Sequence, residues 1–313
     1  MNKPIDASNA FKLRDSTSYD AVSESFANFT TRFSQPIAAR MVALAKVNAS
    51  DHVLDVGTGT GVVALAAARQ LGVTGRVTGI DLSAGMLTTA RQLAALESAG
   101  TRISWQSMDA EALIFGSNMF DSILSLFALL HFPNPLAALR EMQRVVKPGG
   151  RLVIALGSRP SLVTVAGVVH VLETLPSLLR RRTGRELVAP AFLDALVHEQ
   201  LPRSNGDEQS ALAEHSSARA GSVQQLVQEA GFTEIATDWV GYNHKIDTAE
   251  EFWELQRTFS SLARKRINEA PTEKVKELQE TFMATCHRVL ARGGKLVYPV
   301  GVQIIGARKP AAV

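Results

Sequence analysis

The sequence predicts an α/β fold in which a mostly parallel sheet carries helices on both faces. Between residues 48 and 157, short apolar runs typical of buried strands alternate with amphipathic stretches typical of helices. One of these runs, Val53–Val56, passes directly into the turn Gly57-Thr58-Gly59-Thr60-Gly61, and a helix begins from that turn. Alternation at this spacing implies right-handed crossovers between strands, which is why we expect the strands to run parallel.

Length and composition describe an ordinary globular chain. The 313 residues are 46% hydrophobic, which is enough for one large domain with insertions or for two domains. The formal net charge of +3 is a small surplus on a nearly balanced chain and gives no support to a nucleic-acid partner. The single cysteine, Cys286, cannot form a disulfide or a thiolate metal site within one chain, which fits a reducing compartment.

No segment has the pattern of a targeting or membrane-spanning sequence. Met1–Tyr19 is polar and lacks the apolar core of a signal peptide. The longest apolar stretch, Leu162–Leu175, contains His170 and Glu173 and is too short to cross a bilayer. We therefore expect a cytoplasmic protein with no membrane span and no nucleic-acid partner.

The N-terminal part, residues 1–47, is expected to form helices that act as a lid over a ligand site. Residues 1–18 are expected to be a loose tail. From Tyr19 onward, apolar residues recur at steps of three and four, which predicts a helix. Pro36 is expected to divide that helix in two, because proline suits a first turn and not an interior. The aromatic residues here fit core packing, and they also fit a lid that presents Tyr19 or Phe26.

Residues 48–157 contain the regular alternation and are predicted to be the ligand-binding core. The predicted strands are 53–56, 76–81, 103–108, 120–126 and 152–156. The predicted helices are 61–71, 84–99 and 135–146. The run Lys147-Pro148-Gly149-Gly150 is expected to be a sharp stop after the last of these helices.

Beyond residue 157 the pattern changes. Residues 158–220 contain apolar helical pieces without an evident strand, and we interpret them as a helical cap insertion. Residues 221–313 are interpreted as the C-terminal part of the core, with inserted helices at 248–292. The elements predicted there are helices at 222–230, 248–267 and 272–291, and strands at 232–242 and 300–305.

Three acidic residues follow three successive predicted strands. Asp55 lies two residues before Gly57, Asp81 ends the second strand, and Asp109 follows the third. The C-terminal ends of parallel strands meet at one edge of the sheet, where ligands bind in open α/β folds. The dinucleotide fingerprint is G-x-G-x-x-G, whereas this turn reads G-x-G-x-G, and a carboxylate before it favours a cationic group over a phosphate. Carboxylates also accept hydrogen bonds from ribose hydroxyls and from an adenine amine. S-adenosylmethionine has an amine, a ribose and an adenine, and no phosphate.

These segments resemble the motifs of the class I S-adenosylmethionine-dependent methyltransferases. The resemblance is carried by Val53–Gly61, Gly79–Leu87, Met108–Leu113, Phe120–Ser125 and Val145–Leu152. Within that superfamily the chain is most similar to the small-molecule methyltransferases of the ubiquinone and menaquinone biosynthesis type. The resemblance covers residues 40–157 well. It implies a Rossmann-like, seven-stranded sheet whose last strand, Val300–Ile305, is antiparallel.

The resemblance also implies which residues hold the cofactor. Asp55 and the glycine turn would contact the methionine end, Asp81 the ribose, and Asp109 the adenine. The expected S-adenosylmethionine-binding residues are Tyr19, Phe26, Asp55, Gly57, Thr58, Gly59, Gly61, Asp81, Leu82, Met86, Met108, Asp109, Ala110, Ser125 and Phe127. Each acid has a structural alternative, because an aspartate at the end of a strand often caps the following turn or helix.

Methyl transfer depends on holding the acceptor in line in a dry pocket, and it needs a general base only if the acceptor must lose a proton. The candidate base is His131, which follows the fourth predicted strand. His131 could instead shape the pocket or cap the next helix. His170, His198 and His215 could face an acceptor from the cap, but they also fit packing or surface positions. No set of His, Cys and Asp has metal-ligand spacing, so we expect no metal.

The expected acceptor is a small, largely apolar organic molecule that is methylated at oxygen or carbon. The Asn/Asp-Pro-Pro-aromatic signature of many amine and nucleobase methyltransferases is absent after the fourth strand. The apolar content of Leu162–Leu175 and Phe192–Val197 favours an apolar acceptor site. The basic run Arg180–Arg182 with Arg185 fits a solvated helix end, but also an acidic substrate, a phosphate or a membrane surface.

Two classes of function compete with this one. The first is a methyltransferase acting on RNA or protein, which would need a broad basic face or an added binding domain. The second is a non-catalytic S-adenosylmethionine-binding protein, or a Rossmann dehydrogenase with an unusual turn. The sequence leaves a homodimer open.

Overall fold

The computed structural model describes residues 7–159, 165–202 and 220–311. The candidate residue His215 lies outside these ranges. Contacts between residues divide the chain into two compact units. The sheet unit comprises Met1–Ser158, Ala213–Asp238 and Gln303–Val313, and the helical unit comprises Arg159–Leu212 and Trp239–Val302.

Three described helices precede the first strand, and three more lie between the last two strands. The helices are α1 (Ala7–Asp20), α2 (Ser23–Phe33), α3 (Gln35–Ala45), α4 (Val62–Ala68), α5 (Ala84–Ala95), α6 (Pro135–Val145), α7 (Val165–Arg182), α8 (Ala191–Gln200), α9 (Ala220–Glu229), α10 (Ala249–Phe259), α11 (Ser261–Glu269) and α12 (Thr272–Ala291). The strands are β1 (His52–Val56), β2 (Arg76–Asp81), β3 (Ile103–Ser107), β4 (Phe120–Leu126), β5 (Val146–Gly157), β6 (Glu186–Val188), β7 (Thr233–Ile246) and β8 (Lys295–Arg308).

The sheet unit is built on five parallel strands in the order β3-β2-β1-β4-β5. β8 follows β5 in the sheet, and β7 pairs with β8. Directly after β8, the N–H of Lys309 donates to Gly150 near the start of β5 at 3.0 Å, and Gly149 donates to Lys309 at 2.9 Å. The end of the last strand therefore lies beside the beginning of β5, as an antiparallel pairing requires. These strands confirm the predicted Rossmann-like, mostly parallel sheet. The described residues form eight strands in this sheet, one more than the seven that the resemblance implied, because the short β6 also pairs with β8.

A large apolar cluster lies in the sheet unit. It joins inward-facing residues of the central strands, such as Leu54, Ile123 and Ile154, to Met142 of α6 and Val227 of α9, all with 0% exposure. Burial of side chains of this size stabilises the fold by about 1.5–3 kcal/mol each. Because this core holds the central strands in place, their C-terminal ends form a rigid edge.

A proline and two capping side chains mark the starts of three helices in the sheet unit. Pro36 lies in the first turn of α3, which confirms the predicted division of the N-terminal helix. Before α5, the Ser83 hydroxyl accepts a hydrogen bond from Met86 N, and before α6 the Asn134 side chain accepts one from Ala137 N. Both are the local caps that serine and asparagine provide.

Four expectations of the sequence analysis are wrong. Residues 7–18 are not a loose tail but belong to α1, which long-range polar contacts hold in place. The run 147–150 does not separate helix from strand, because β5 begins at Val146 and passes through it. Residues 158–220 do contain a strand, β6, which is only three residues long and therefore shows no periodicity. The predicted helix 248–267 is two helices, because Ser260 is extended and caps α11 by accepting from Ala263 N.

The helical unit has its own aromatic core around Phe282 of α12. The ring of Phe282 lies 5.0 Å from that of Phe192, 5.1 Å from that of Trp253 and 5.8 Å from that of Phe252, measured between centroids. β6 pairs in parallel with the first residues of β8. The apolar residues of α8 therefore serve the core of this unit, so their apolar character is not in itself evidence for an acceptor pocket.

Candidate active site

The three predicted acids lie at one edge of the sheet unit. β2 pairs in parallel with β1 on one side and with β3 on the other. Asp81 pairs with Ser107, two residues before Asp109, and Asp55 is the fourth residue of the neighbouring β1. The structure thus brings Asp55, Asp81 and Asp109 to the C-terminal ends of three adjacent strands.

The glycine turn after β1 uses its glycines in two different ways. All three have positive φ, of 66° at Gly57, 53° at Gly59 and 84° at Gly61. A Cβ on Gly57 would lie 2.2 Å from the Cβ of Ala128, and one on Gly61 would lie 2.6 Å from the ring of Trp105. At Gly59 the nearest heavy atom would be 3.9 Å away. The protein itself fills the space beside Gly57 and Gly61, so only Gly59 leaves the backbone of the turn open to a ligand.

Asp55 is part of the framework of this turn. Its Oδ2 accepts hydrogen bonds from the Thr58 hydroxyl at 2.6 Å and from Ala64 N at 3.0 Å, which ties the turn to the start of α4. Its Oδ1 is buried and has no hydrogen-bond partner among the described residues. Burial raises the pKa of Asp55 to about 7. A cationic group reaching Oδ1 would stabilise the ionised form, which fits the amine expected there.

Asp81 joins the glycine turn to the next loop. Its Oδ2 accepts a hydrogen bond from Gly59 N and its Oδ1 accepts one from Ser83 N, both at 2.9 Å. Burial raises the pKa of Asp81, although these backbone donors favour the charged form. An ionised carboxylate has about four acceptor positions, so each oxygen retains capacity for one more donor. That capacity matches the two hydroxyls of a ribose.

Asp109 is engaged by a residue of α1. Lys12 Nζ lies 2.7 Å from Asp109 Oδ2 and 2.6 Å from Glu111 Oε2. Asp109 Oδ1 accepts a hydrogen bond from Glu111 N at 2.9 Å. Burial disfavours the ammonium of Lys12, but the two carboxylates outweigh this effect and raise its pKa. Asp109, the acid predicted to bind adenine, therefore forms an ion pair with Lys12, which the sequence analysis did not identify as a site residue.

The C-terminal half of α1 makes two further polar contacts at this edge. Asp20 Oδ1 accepts hydrogen bonds from the Ser83 hydroxyl at 2.6 Å and from Gly85 N at 2.8 Å. Asp15 Oδ2 lies 3.1 Å from His131 Nδ1. α1 therefore contacts the loops that follow β2, β3 and β4. Lys12, Asp15 and Tyr19 recur at steps of three and four, which places them on one face of α1.

His131 lies between two residues of α1. Its Nδ1 faces Asp15, and its Nε2 lies 3.3 Å from the Tyr19 hydroxyl. Asp15 is buried, whereas the His131 side chain is 35% exposed. With Asp15 as the acceptor of a proton on Nδ1, the lone pair of Nε2 points to the Tyr19 hydroxyl; this tautomer is assigned from the hydrogen-bond network. Tyr19 also packs edge to face against Phe26, with centroids 5.8 Å apart.

The strand β4 ends in an unusual backbone conformation. Phe127 has φ of 59°, which is uncommon for a bulky residue. Its N–H donates to Ala155 O at 2.8 Å, and the buried Ser125 hydroxyl donates to Val56 O at 2.9 Å. A bulky residue with positive φ is maintained only when its surroundings determine it. The residues expected beside the reacting end are thus held tightly against β1 and β5.

The remaining predicted cofactor residues occupy different environments. Met86, Met108 and Ala110 are buried in the sheet unit, whereas Leu82 is 39% exposed. Two of the alternative histidines, His170 and His198, lie in the helical unit. His170 packs against Trp239 with ring centroids 5.1 Å apart, and His198 is exposed.

Two observations concern ligands and membranes. The described ranges contain no group of three or more His, Cys, Asp or Glu placed to hold a metal ion. No helix within them is both long and apolar enough to cross a membrane.

Comparisons with known proteins agree with this geometry. Residues 53–150 match a family model described as "Methyltransferase domain". The chain is 36% identical over 155 residues to the ubiquinone/menaquinone biosynthesis C-methyltransferase UbiE of Geotalea daltonii, covering 48% of this chain and 66% of that one. It is 37% identical over 132 residues to the UbiE of Hahella chejuensis, covering 42% and 53%. The chain thus spans between 53% and 66% of the length of these curated relatives.

Solved structures share the fold at low sequence identity. The [4+2]-cyclase SpnF is 20% identical, with a TM-score of 0.51 and coverage of 89% of this chain and 82% of that one. The YcgJ protein from Bacillus subtilis is 19% identical, with a TM-score of 0.50 and coverage of 88% and 98%. At these identities the likeness concerns the fold alone.

Proposed function

We propose that this chain, whose residues 53–150 match a methyltransferase-domain family model, is a class I S-adenosylmethionine-dependent methyltransferase. We propose that it methylates an oxygen or carbon of a small, largely apolar organic molecule. When bound, S-adenosylmethionine supplies a methyl group activated by its sulfonium, which an acceptor atom held in line with that bond can displace. The contribution of the protein is then to bind, orient, exclude water and, where needed, remove a proton.

The observation that carries the proposal is the arrangement of Asp81. Its two oxygens each accept one backbone N–H, and one of those donors belongs to Gly59, the glycine beside which the turn is open. Ribose hydroxyls bound by this carboxylate would therefore lie directly beside the accessible part of the turn. The unpartnered Oδ1 of Asp55, within the described residues, supports an amine on the other side of the same turn.

Helix α1 is proposed to close this site as part of a lid formed by residues 1–47. Lys12, Asp15 and Asp20 contact three different loops at the same edge. Contacts to three loops would exclude water from the region where the methyl group is transferred, and electrostatic interactions strengthen as water leaves.

His131 is proposed as the general base for an acceptor that carries a hydroxyl. Asp15 orients the ring through Nδ1, so that Nε2 is the basic atom. An acceptor hydroxyl that takes the position of the Tyr19 hydroxyl would donate its proton to Nε2. Asp15 would stabilise the imidazolium that forms, while remaining ionised itself.

Two observations support the proposed acceptor class: the names of the curated relatives, and the aromatic residues near the glycine turn. The curated relatives are named as C-methyltransferases of ubiquinone and menaquinone biosynthesis, which supports an apolar ring as the acceptor. Phe26 and Tyr19 beside the open turn, and Phe127 at the end of β4, supply aromatic surface of the kind that such a ring contacts. The nearly balanced charge and the single cysteine support a cytoplasmic enzyme without a nucleic-acid partner, and a homodimer is compatible with the proposal.

Calorimetry with S-adenosylhomocysteine and with NAD tests the cofactor assignment. We expect binding of the first alone, and preferential binding of NAD would exclude the methyltransferase function. Mass spectrometry of a panel of phenols, quinols and polar amines incubated with S-adenosylmethionine then tests the acceptor class. Methylation of amines alone would contradict the proposed acceptor. Binding of S-adenosylhomocysteine, without methylation of any small molecule, RNA or protein offered, would favour the non-catalytic alternative.

A further inference from the structure

We propose that α7 of the helical unit binds the surface of an anionic phospholipid bilayer. Four large apolar residues of this helix are exposed: Val168 by 39%, Val169 by 45%, Leu172 by 59% and Leu175 by 51%. They follow one another at steps of one, three and three, which places them on one side of the helix. We call this set the apolar α7 face.

The opposite side of α7 packs against its own unit. His170 contacts the ring of Trp239, with centroids 5.1 Å apart. Ser177 is buried and donates a hydrogen bond to Glu186 of β6. Because these contacts already attach the helix to its unit, the apolar α7 face is not needed for packing there. Grouped apolar exposure of this kind is uncommon in the absence of a partner surface.

Positive charge is concentrated at the C-terminal end of the same helix. Arg180 and Arg181 lie 3.1 and 3.0 Å from the two oxygens of Glu186, and their side chains remain 39% and 38% exposed. Arg182 and Arg185 are also exposed. Glu186 offsets one of the four charges, so the cluster attracts anions. Arg182 lies about 15 Å along the helix from Leu172, from a rise of about 1.5 Å per residue.

This combination matches an anionic membrane surface by charge and by polarity. An interfacial helix buries leucine and valine side chains at the boundary between headgroups and acyl chains, while arginines bind lipid phosphates. The 18 residues of α7 end in arginines, and no described helix is apolar enough to span a bilayer. The helix would therefore lie on the surface. The proposal does not depend on the proposed methyltransferase function.

Co-sedimentation with vesicles tests the proposal. The full chain is incubated with vesicles of phosphatidylcholine alone, or of phosphatidylcholine mixed with phosphatidylglycerol. We expect at least about tenfold stronger binding to the anionic vesicles, lost at high salt, because each arginine near such a surface contributes about fivefold in affinity. Equal binding to both kinds of vesicle, or binding to neither, would overturn the proposal.

Two double variants separate the charged and apolar contributions. Arg182→Gln with Arg185→Gln should weaken binding to anionic vesicles by roughly 25-fold. Leu172→Gln with Leu175→Gln should weaken it by about tenfold or more. The matched controls are Arg288→Gln with Arg292→Gln, two exposed arginines at the end of α12, and Leu96→Gln, at a leucine that is 81% exposed in the sheet unit.

The controls should bind vesicles like the unaltered chain, and equal losses in the controls would refute a specific role for α7. All variants should keep the Tm of the unaltered chain, since every altered side chain is exposed. Sedimentation velocity tests whether a second copy of the chain, instead of lipid, covers the apolar α7 face. A dimer in solution that Leu172→Gln with Leu175→Gln dissociates would assign the apolar α7 face to a second copy of the chain and overturn the lipid proposal.

Discussion

Replacing Asp81 by alanine is the most direct test of the candidate site. In the structure, each oxygen of this carboxylate accepts one backbone N–H at 2.9 Å, from Gly59 and from Ser83. The proposed ribose hydroxyls would use the remaining capacity of the two oxygens. Alanine removes both acceptors, whereas asparagine keeps one acceptor and removes the charge.

The expected magnitude follows from these two hydrogen bonds. A hydrogen bond to a charged group contributes about 1.5–3 kcal/mol, so two of them contribute about 3–6 kcal/mol. That range corresponds to a loss of affinity on the order of 10²–10⁴. Water will partly solvate the hydroxyls in the variant, which favours the lower end. We therefore expect Asp81→Ala to weaken S-adenosylhomocysteine binding about 100-fold and Asp81→Asn about tenfold.

Isothermal titration calorimetry measures both variants against a matched control. Asp121 lies at the opposite end of the sheet, where it accepts a hydrogen bond from His52 N at 2.8 Å and pairs with Lys147 at 2.6 Å. Asp121→Ala should lower stability without changing the affinity. An Asp81→Ala protein that keeps its Tm and binds S-adenosylhomocysteine as tightly as the unaltered chain would refute the assignment of the ribose site.

Four other perturbations have defined outcomes. His131→Ala should lower kcat for a hydroxyl acceptor by about 10²–10⁴; an unaltered kcat would exclude His131 as the base. Because the folded pKa of Asp55 is raised to about 7, above an unfolded value of about 3.9, the contribution of Asp55 to the stability of the unliganded chain should fall by on the order of 4 kcal/mol as pH rises from about 4 to 7. Urea unfolding of Asp55→Asn should show a smaller loss, and an identical pH profile would contradict the raised pKa. Lys12→Met should speed dissociation of S-adenosylhomocysteine roughly tenfold in stopped-flow experiments, because it removes the contact with Asp109. An unchanged dissociation rate would show that this contact has no role in closing the site. Phe282 is fully buried, so Phe282→Ala should destabilise the protein by about 3–5 kcal/mol in urea; a loss below about 1 kcal/mol would mean that the aromatic core is not what stabilises the helical unit.

The central part of the fold was predictable because its signals are local. A buried strand, a glycine turn and a helix follow one another within residues 52–68, and each element can be recognised from its own sequence. The helix α1 was not predictable in this way. Its stabilising contacts, such as Lys12 with Asp109, join residues 97 positions apart, and its side chains follow no apolar stripe. The strand β6 was not predicted because three residues are too few to show the alternation of apolar and polar side chains that identifies a strand.

The sequence predicts the three aspartates of the candidate site, but not the residues of α1 that contact the site. The positions of Asp55, Asp81 and Asp109 follow from where the strands end. The sequence could not indicate that Lys12 engages Asp109, since that contact depends on how the N-terminal helix lies on the loop after β3. The orientation of His131 by Asp15 depends on the same helix.

The close approach of Gly57 to Ala128 has a consequence for how related sequences can vary. A Cβ at position 57 would lie only 2.2 Å from the methyl group of Ala128 but 3.6 Å from its Cα, so a larger residue at position 57 requires glycine at position 128. Positions 57 and 128 should therefore covary among homologues. Ala128 lies three residues before His131, so the same steric contact fixes the spacing between the cofactor turn and the proposed base. Natural variation at this pair would then alter which acceptors fit, even though neither residue bears a reactive group.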